Sequence, residues 1–284
     1  MSPLPAGEDR RRWPANARVA DARLRGRAGD VTYLTGAPRL LGAAAADLLD
    51  APGGARDRQL LRGAALRLYE IHEGFAFVEA VADGYTGYLD AAALAPVAQP
   101  LPNAQVAIRE TLCWTAPGAR AMATGRLSLG AGVHVFDSAN GWAWTDAGHI
   151  PLSHLCTAGP LGRDPVEVAE RLLGLPYLWG ANGAGGIDCS GLVQLACLAC
   201  GIPCPGDSDM QARELGEVLP GAEPLRRGDL LFWKGHVALV ADAERILHAN
   251  GHSMSVAYEG LDAAIARILS AGDPVTVRRR LPQS

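Results

Sequence analysis

The most constraining feature of the sequence is a glycine-rich loop that runs directly into an apolar helix, with a cysteine where the helix begins. The loop spans residues 177–187, and Cys189 follows it closely. The N-terminal end of a helix carries partial positive charge, which favours a thiolate over a thiol. Backbone N–H groups at the same end are suited to hold an oxyanion. The position predicts that Cys189 is a nucleophile, although a lone intracellular cysteine is more often an inert core residue.

Two histidines lie on neighbouring predicted strands and are placed to serve a nucleophile. His236 begins an apolar run, and His248 lies in the next one, twelve residues later. In an antiparallel hairpin, residues that are nearly opposite point to the same face. A lone histidine on a strand is more often structural, but both of these fit one face of one hairpin. The pattern therefore predicts a line of Cys189, His236 and His248, in which the last residue orients the base.

The section that begins near Gly162 is predicted to place helices before strands, which is an α+β pattern. Asp164 is the predicted N-cap of the first helix, Pro165 occupies its first position, and Gly201 ends the second. The predicted elements are helices near 165–173, 190–200 and 261–271, and strands over 230–233, 237–241, 245–249 and 275–281.

The chain ahead of this section is predicted to be mainly β-structure. Short apolar runs alternate with tight-turn signals, of which Asp83-Gly84 and Asn140-Gly141 are the strongest. A group of prolines between 96 and 102 marks a boundary between two such sections. We predict two small β-barrels followed by a catalytic domain, with the domains at 1–97, 98–157 and 158–284.

Two local features of the β-rich part add further predictions. Residues 87–94 and 148–155 form a weak repeat, in which Gly-x-aliphatic is followed by a closing leucine at a constant offset. The alanine-rich stretch 43–49 is predicted to form a helical turn inside the otherwise β-structured first section.

Composition and charge exclude several classes of partner. A formal net charge of −4 and a pI near 6.0 give no reason to expect nucleic acid. No run approaches the ~20 apolar residues of a membrane span, and the N-terminus lacks the apolar core of a secretory signal. These observations predict a cytoplasmic protein without a membrane partner, and no protein partner is implied. Disulfides are then a poor expectation for the six cysteines.

The combination of short motifs resembles the NlpC family of papain-like cysteine peptidases. The matching words are Tyr-x-Trp-Gly, Asp-Cys-Ser-Gly-Leu-Val-Gln, Gly-Asp-Leu-x-Phe-Trp, Gly-His-Val and Leu-His-Ala, all within 163–281. The two predicted barrels resemble bacterial SH3-like domains. This layout is similar to the dipeptidyl-peptidase VI type, which cleaves γ-D-glutamyl–diamino acid bonds in freed wall peptides with a free N-terminal L-alanine.

The resemblance implies roles for individual residues. It implies Cys189 as nucleophile, His236 as base and His248 as orienter, with no cofactor. The residues implied to bind substrate are Tyr85, Trp179, Asp188, Ser190, Asp207 and Ser208. A tyrosine and carboxylates suit a substrate ammonium group. Several of these side chains also have a structural interpretation, since Asp188 and Asp207 are placed to cap helices and Tyr85 to fill a barrel strand.

The sequence departs from the family pattern in the first barrel. Family members often carry an acidic residue after a Leu-Leu-x-Gly stretch, whereas Ala64-Ala65 follow here. The expected carboxylate is therefore missing or supplied by another residue, such as Glu70. This departure bears on recognition of the substrate amine and leaves the bond-cleaving residues unchanged.

Other classes of function remain open from the sequence. Cys197, Cys200 and Cys204 have a spacing that a zinc site can use, but the first two lie in an apolar helical stretch, which favours core packing. The same Cys-His chemistry supports acyl transfer, and a catalytically silent protein that binds wall fragments is a third possibility. The favoured prediction is a cysteine endopeptidase that acts on murein peptides during cell-wall recycling.

Overall fold

The computed structural model describes residues 4–157, 159–183, 185–221 and 223–282. The chain folds into two compact units. Unit 1 contains the described residues up to Val106 together with Glu110–Leu155. Unit 2 contains Ala107–Arg109 and the described residues from Cys156 onwards. The division of the chain into three domains stays a prediction.

The first part of unit 1 is built on a six-stranded antiparallel sheet with the strand order β3-β6-β7-β8-β4-β5, preceded by the parallel pair β1 and β2. The β-structure predicted for this section is present, and Leu66, Phe77 and Leu89 on three of its strands are buried. The strands are β1 Val19–Asp21, β2 Thr32–Leu34, β3 Ala37–Leu40, β4 Ala45–Leu49, β5 Arg56–Leu61, β6 Ala65–His72, β7 Phe75–Ala80 and β8 Thr86–Asp90.

The predicted helical turn at 43–49 is wrong, because residues 45–49 form strand β4. This strand pairs with β5 over five residue pairs and meets β8 at Leu49 and Tyr88. Alanine has a high helix propensity, but here Leu48 is fully buried and the backbone hydrogen bonds go to two neighbouring strands. Tertiary packing therefore overrides local propensity in this stretch.

The second part of unit 1 contains a five-stranded sheet with the order β11-β10-β15-β14-β13 and a three-stranded sheet with the order β12-β9-β16. Its strands are β9 Ala104–Val106, β10 Glu110–Trp114, β11 Ala123–Ser128, β12 Gly132–Val133, β13 Val135–Ala139, β14 Trp142–Thr145, β15 Gly148–Pro151 and β16 Leu155–Cys156. Asn140 and Gly141 join β13 to β14 with φ values of 51° and 78°, so both adopt the left-handed conformation that a type I′ hairpin turn requires.

The weak sequence repeat corresponds to a repeated local structure. In both segments a strand is followed by a single 3₁₀ turn, Ala91–Ala93 after β8 and Leu152–His154 after β15. The closing leucine of the repeat, Leu94 or Leu155, follows each turn directly. Two further 3₁₀ turns lie at Arg10–Arg12 and Ala22–Leu24.

Unit 2 places its first three helices before a six-stranded sheet, which confirms the α+β prediction. The strand order is β17-β22-β18-β19-β20-β21. The elements are α1 Pro165–Glu170, α2 Cys189–Ala199, α3 Ser208–Glu214, β17 Glu217–Val218, β18 Leu230–Trp233, β19 His236–Val240, β20 Arg245–Asn250, β21 Ser255–Gly260, α4 Leu261–Ser270 and β22 Val277–Arg280. Of the helices that the structure describes, none has the length and apolarity needed to span a bilayer.

Helix α2 is central to unit 2, and its first turn is fixed by side-chain capping. The Asp188 carboxylate accepts a hydrogen bond of 2.7 Å from the N–H of Gly191, which satisfies one of the donors that a helix start leaves unpaired. A side chain at Gly191 would place its Cβ 2.7 Å from the carbonyl oxygen of Ala181, so the loop can approach the helix only over a glycine. The Asp-Cys-Ser-Gly motif thus holds the glycine-rich loop against the helix end.

The sheet of unit 2 is covered by helices, and this arrangement sets where its polar residues lie. Helix α2 packs against β19 and β20, and nearly all of its residues are buried. Helix α4 packs on a cluster that includes Trp233, Ala238 and Ile246. Since His236 and His248 have the same strand parity as Ala238 and Ile246, both start from the face that α4 covers.

Candidate active site

Cys189 is the first residue of α2 and is 6% exposed. Its Sγ lies 4.0 Å from the carbonyl oxygen of Gly235, the residue before β19. Three backbone N–H groups, those of Cys189, Ser190 and Val237, interact favourably with the sulfur. The helix end and the start of β19 therefore meet at the thiol, as the prediction of a nucleophile with nearby N–H donors requires.

The charge state of Cys189 differs from the expectation for a helix N-terminus. Burial, with a smaller contribution from the Asp188 carboxylate, raises the pKa of the Cys189 thiol to about 12. The backbone N–H groups lower the pKa but do not offset burial. In the free protein Cys189 is therefore a neutral thiol, and a base must take its proton during attack.

His236 and His248 contact each other through their rings. His236 Nε2 lies 3.0 Å from His248 Nδ1, and the ring centroids are 5.2 Å apart. The pairing of β19 with β20 matches Leu239 to Leu247, so continuing the register puts His248 opposite Ala238. His236 is therefore the diagonal neighbour of His248 on one face, a separation that two long side chains bridge.

The thiol and the imidazole are brought together through the backbone of residues 235–237. Among the described residues, no hydrogen bond joins Cys189 directly to the ring of His236. Because His236 uses Nε2 to contact His248, Nδ1 is the ring nitrogen that remains for the thiol. Long thiol–imidazole separations are common in free enzymes and shorten when substrate binds.

Burial keeps both histidines uncharged near neutral pH. It lowers the pKa of His236 to about 4, and the neighbouring His248 and Arg267 act in the same direction. It also lowers the pKa of His248 to about 4, although the Glu259 carboxylate opposes this shift. A neutral imidazole at His236 is the form that accepts a proton from a thiol.

The sequence did not indicate two charged residues that lie behind His248, the carboxylate of Glu259 and the guanidinium of Arg267. Glu259 Oε2 lies 3.1 Å from His248 Nε2, at ion-pair distance but without the directed geometry of a hydrogen bond. Arg267 donates hydrogen bonds of 2.8 and 2.7 Å to the two oxygens of Glu259. The described residues therefore form a continuous polar line from His236 through His248 and Glu259 to Arg267.

The predicted substrate residues Asp188, Ser190, Asp207 and Ser208 lie at the starts of α2 and α3. The Oγ of Ser190 donates to Asp188 at 3.1 Å. Asp188 also accepts from the N–H of Gly180 at 2.8 Å. Burial raises the pKa of Asp188, and the Asp207 carboxylate raises it too, so the two acids are near each other. Their predicted contact with substrate stays a prediction.

Asp207 has a position that helix capping does not explain. It precedes Ser208, the first residue of α3, yet its side chain makes no capping hydrogen bond. Among the described helices α1 and α2, the corresponding aspartates do cap. The simple capping interpretation of Asp207 is therefore not realised, whereas that of Asp188 is.

The two aromatic residues of the Tyr-x-Trp-Gly motif lie in different environments, since Trp179 is exposed and Tyr177 is partly buried. Trp179 is 68% exposed, which is unusual for so large an apolar side chain. Burial raises the pKa of Tyr177 to about 12, and Cys189 and Asp188 contribute to that rise. Tyr177 is therefore close enough to Cys189 for an electrostatic interaction, and it was missed as a site residue although the sequence motif contains it.

Tyr85, the predicted contribution of the first barrel, lies in unit 1. It is 1% exposed, and the Arg58 guanidinium lies 5.1 Å from its ring centroid. Arg58 also forms a buried ion pair with Asp83. Glu70, the suggested replacement carboxylate, binds Asn16 at 2.6 Å and Arg18 at 2.7 Å within the same unit. The contact of Tyr85 with substrate stays a prediction.

The cysteines in the second half of α2 and directly after it do not assemble a metal site in the described part of the chain. Cys197, Cys200 and Cys204 are buried. No group of three or more histidine, cysteine or acidic side chains in residues 4–157, 159–183, 185–221 and 223–282 is arranged to hold a metal ion.

A cleft of about 160 Å³ lies on the side of His236 that is lined by α4 and the turn after β18. Its lining includes the charged side chains of Lys234, Arg267 and Asp273, and the ring of His252. Lys234 and Asp273 form no ion pair with any residue that the structure describes. Two opposite charges therefore face the cleft without compensating each other.

Family models match two parts of the chain. Residues 174–267 match the NlpC/P60 family, and residues 48–94 match the bacterial dipeptidyl-peptidase SH3 domain. The first match contains Cys189, His236 and His248. The chain therefore carries an NlpC/P60 domain in unit 2 and an SH3 domain in the first part of unit 1, as predicted, whereas the second SH3-like barrel over 98–157 stays a prediction.

Relatives and solved structures agree with these matches. The gamma-D-glutamyl-L-lysine dipeptidyl-peptidase of Bacillus cereus is 33% identical over 105 residues, which are 34% of this chain and 31% of the relative. The protein of the same name from Bacillus subtilis is 36% identical over 94 residues, or 30% of this chain and 31% of the relative. The chain thus spans about a third of the length of these relatives.

A crystal structure of an NlpC/P60 family protein from Bacillus cereus matches with a TM-score of 0.72 and 18% identity, covering 87% of this chain and 100% of that one. At this identity the likeness concerns the fold, and it confirms the papain-like prediction.

Proposed function

From the NlpC/P60 domain that the chain carries, we propose that it is a cysteine peptidase that cleaves the γ-D-glutamyl–diamino acid bond of murein peptides. The observation that carries the proposal is the meeting of three parts in unit 2. Cys189 begins a helix, its sulfur lies against the backbone of residues 235–237, and His236 contacts His248 at 3.0 Å. The names of the relatives support the same bond class.

In the proposed mechanism, His236 Nδ1 takes the proton of Cys189 as the sulfur attacks the scissile carbonyl. A tetrahedral oxyanion forms, and the N–H groups at the start of α2 are placed to stabilise it. His236 then gives its proton to the leaving amine, and a thioacyl intermediate remains. Water, activated by the same imidazole, hydrolyses the thioester and restores the thiol.

The amine end of the substrate is proposed to lie near the acids at the helix starts. Asp207 is close enough to Asp188 to raise its pKa, so the two carboxylates concentrate negative charge beside the nucleophile. A free N-terminal ammonium of L-alanine would relieve that repulsion.

The leaving diamino acid is proposed to enter the cleft beside His236. The leaving amine receives its proton from His236, so the group that departs must lie on the side of this ring. The cleft there presents Lys234 and Asp273, which suit a carboxylate and an ammonium group. An apolar cavity of ~150 Å³ admits a benzene ring, so about 160 Å³ suffices for the end of one side chain.

The proposed biological role is recycling of wall peptides in the cytoplasm. A requirement for a free L-alanine amine would restrict the enzyme to peptides already released from the glycan. Released peptides of this kind are the starting material of recycling, so the proposed specificity and the proposed role agree.

The test is mass spectrometry of the protein with L-Ala-γ-D-Glu-diaminopimelate and with its N-acetylated copy. We expect cleavage of the free peptide only, and Cys189→Ala should lower the rate by at least about 10⁴-fold. Cys197→Ala is the matched control, because it removes a buried thiol from the same helix and should retain activity.

Each other outcome would change the proposal. Cleavage of both peptides would show that the free N-terminal amine of L-alanine is not recognised. Undiminished cleavage by Cys189→Ala would overturn the assignment of Cys189 as the nucleophile. Transfer of the acyl group to an added amine, in place of hydrolysis, would identify an acyltransferase.

A further inference from the structure

We propose that Glu259, held in place by Arg267, sets the tautomer of His248 and so makes Nδ1 of His236 the basic nitrogen that faces the thiol. The proposal rests on the proposed function for its catalytic meaning, but its structural content is testable without substrate. Glu259 is a positioning residue here, since it acts through two imidazoles and touches no reacting atom.

The geometry places Glu259 where only one nitrogen of His248 can meet it. The side chain of His248 is 0% exposed, so water cannot serve as an alternative partner. Its Nδ1 contacts His236 at 3.0 Å, and its Nε2 lies 3.1 Å from Glu259 Oε2. A buried imidazole with one nitrogen facing a carboxylate is stabilised with its proton on that nitrogen.

The protonation states of the two rings then follow in order. With Nε2 of His248 protonated, its Nδ1 carries a lone pair and can only accept. His236 must therefore donate from Nε2, which leaves Nδ1 of that neutral ring as the unprotonated nitrogen. In the opposite tautomer, His248 would donate from Nδ1 to Nε2 of His236, and the proton of His236 would then lie on Nδ1. A protonated Nδ1 could not accept the proton of Cys189.

Glu259 stays an acceptor because Arg267 keeps it ionised. The guanidinium donates two hydrogen bonds to the carboxylate and holds the pKa of Glu259 below its usual value. The titratable groups that act on His248 are His236 from β19, Glu259 from β21, Arg267 from α4 and His252 from the turn after β20. Glu259 is the anion in this set.

The first experiment reads the tautomer directly in the full-length protein. Nitrogen-15 labelled histidine and long-range ¹H–¹⁵N correlation spectra distinguish a protonated Nε2 from a protonated Nδ1. We expect His248 and His236 of the wild-type protein both to be protonated on Nε2 at neutral pH. A proton on Nδ1 of His248 would overturn the proposal, whatever the protein proves to catalyse.

The second experiment compares Glu259→Gln with Glu259→Leu. Glutamine keeps an accepting oxygen without the charge, whereas leucine removes the acceptor. We expect kcat to fall about tenfold in the first and about 100-fold in the second, with little change in KM, because Glu259 itself does not line the cleft. In Glu259→Leu the ¹⁵N spectrum should show loss of the Nε2-protonated state of His248.

Glu170→Gln is the matched control, because Glu170 also belongs to an ion-pair network of unit 2 and binds Tyr258 of β21. It should leave both tautomers and kcat unchanged. A folded Glu259→Leu with wild-type kcat, or with His248 still protonated on Nε2, would contradict the proposal. If leucine prevents folding, the tautomer spectrum of the wild type and the kcat of Glu259→Gln decide it.

Discussion

Burial keeps both members of the proposed Cys189–His236 pair neutral in the free protein. A thiol with a pKa of about 12 and an imidazole with a pKa of about 4 do not exchange a proton at rest. The sequence indicated the opposite, because the charge at a helix end favours a thiolate. Sequence patterns report the position of Cys189 on its helix but not its desolvation, which depends on how the loop and the start of β19 cover the sulfur.

The neutral pair predicts a specific pH dependence. His236 is a base only when unprotonated, so kcat/KM should be flat at neutral pH and fall as pH drops towards about 4, where His236 gains a proton. Because the thiol is protonated at rest, iodoacetamide should react with Cys189 faster with every rise in pH from about 6 to about 9. Stopped assays and alkylation rates measure the two effects.

The control for the acid limb of the pH profile is His252→Gln, because His252 is an exposed histidine that lines the same cleft as His236. This variant should show the same fall of kcat/KM at acid pH, and circular dichroism at each pH should show a folded protein. An alkylation rate that is already maximal at about pH 5 would contradict the neutral pair, because it would indicate a preformed thiolate–imidazolium pair.

At the scale of elements, the hairpin of β19 and β20 was predictable and the next strand was not. His236 and His248 sit in strongly apolar runs, and period-two patterning predicts their common face. Strand β21 lies at the edge of the sheet, and Val256 is its one buried residue among those described. Edge strands carry a weak apolar signal, so Glu259 could not be placed behind His248 from the sequence.

The turn between β18 and β19 contains Lys234, the only lysine in the sequence, and it lines the cleft beside His236. We expect Lys234→Met to raise KM about tenfold for L-Ala-γ-D-Glu-diaminopimelate, because a charge-assisted hydrogen bond to the side-chain carboxylate is lost. The matching peptide with L-lysine lacks that carboxylate and should change less than about twofold. Steady-state kinetics on both peptides measure the difference.

Arg226→Met serves as the control for Lys234→Met, since it removes an exposed positive charge from unit 2 outside the cleft. It should affect neither peptide. Equal losses on the two peptides with Lys234→Met would show that Lys234 does not recognise the diamino acid side chain.

At the scale of the whole molecule, β-structure in the first half and α+β structure in the second were both predictable. Turn signals such as Asn140-Gly141 and the capping aspartates act locally, so sequence is enough to place them. The pairing of β4 with β5 and β8 is not local, and the alanine-rich sequence there pointed to a helix. Burial of Leu48 decides the structure of that stretch, and burial is a property of the folded unit.

The cysteines connect the whole fold to the proposed chemistry, because none of the six forms a disulfide in the described part of the chain. The melting temperature should therefore be the same with and without dithiothreitol, within about 1 °C, since no disulfide constrains the unfolded state. Activity should behave differently, because a sulfenic acid or mixed disulfide at Cys189 blocks attack until a thiol reduces it. Differential scanning calorimetry and peptide cleavage after mild peroxide treatment separate the two properties.

A reductant-dependent loss of melting temperature would show that a disulfide stabilises the fold. Peroxide inactivation of wild type and of Cys197→Ala, reversed by dithiothreitol in both, would assign the sensitive thiol to a position other than Cys197, as the site at Cys189 requires.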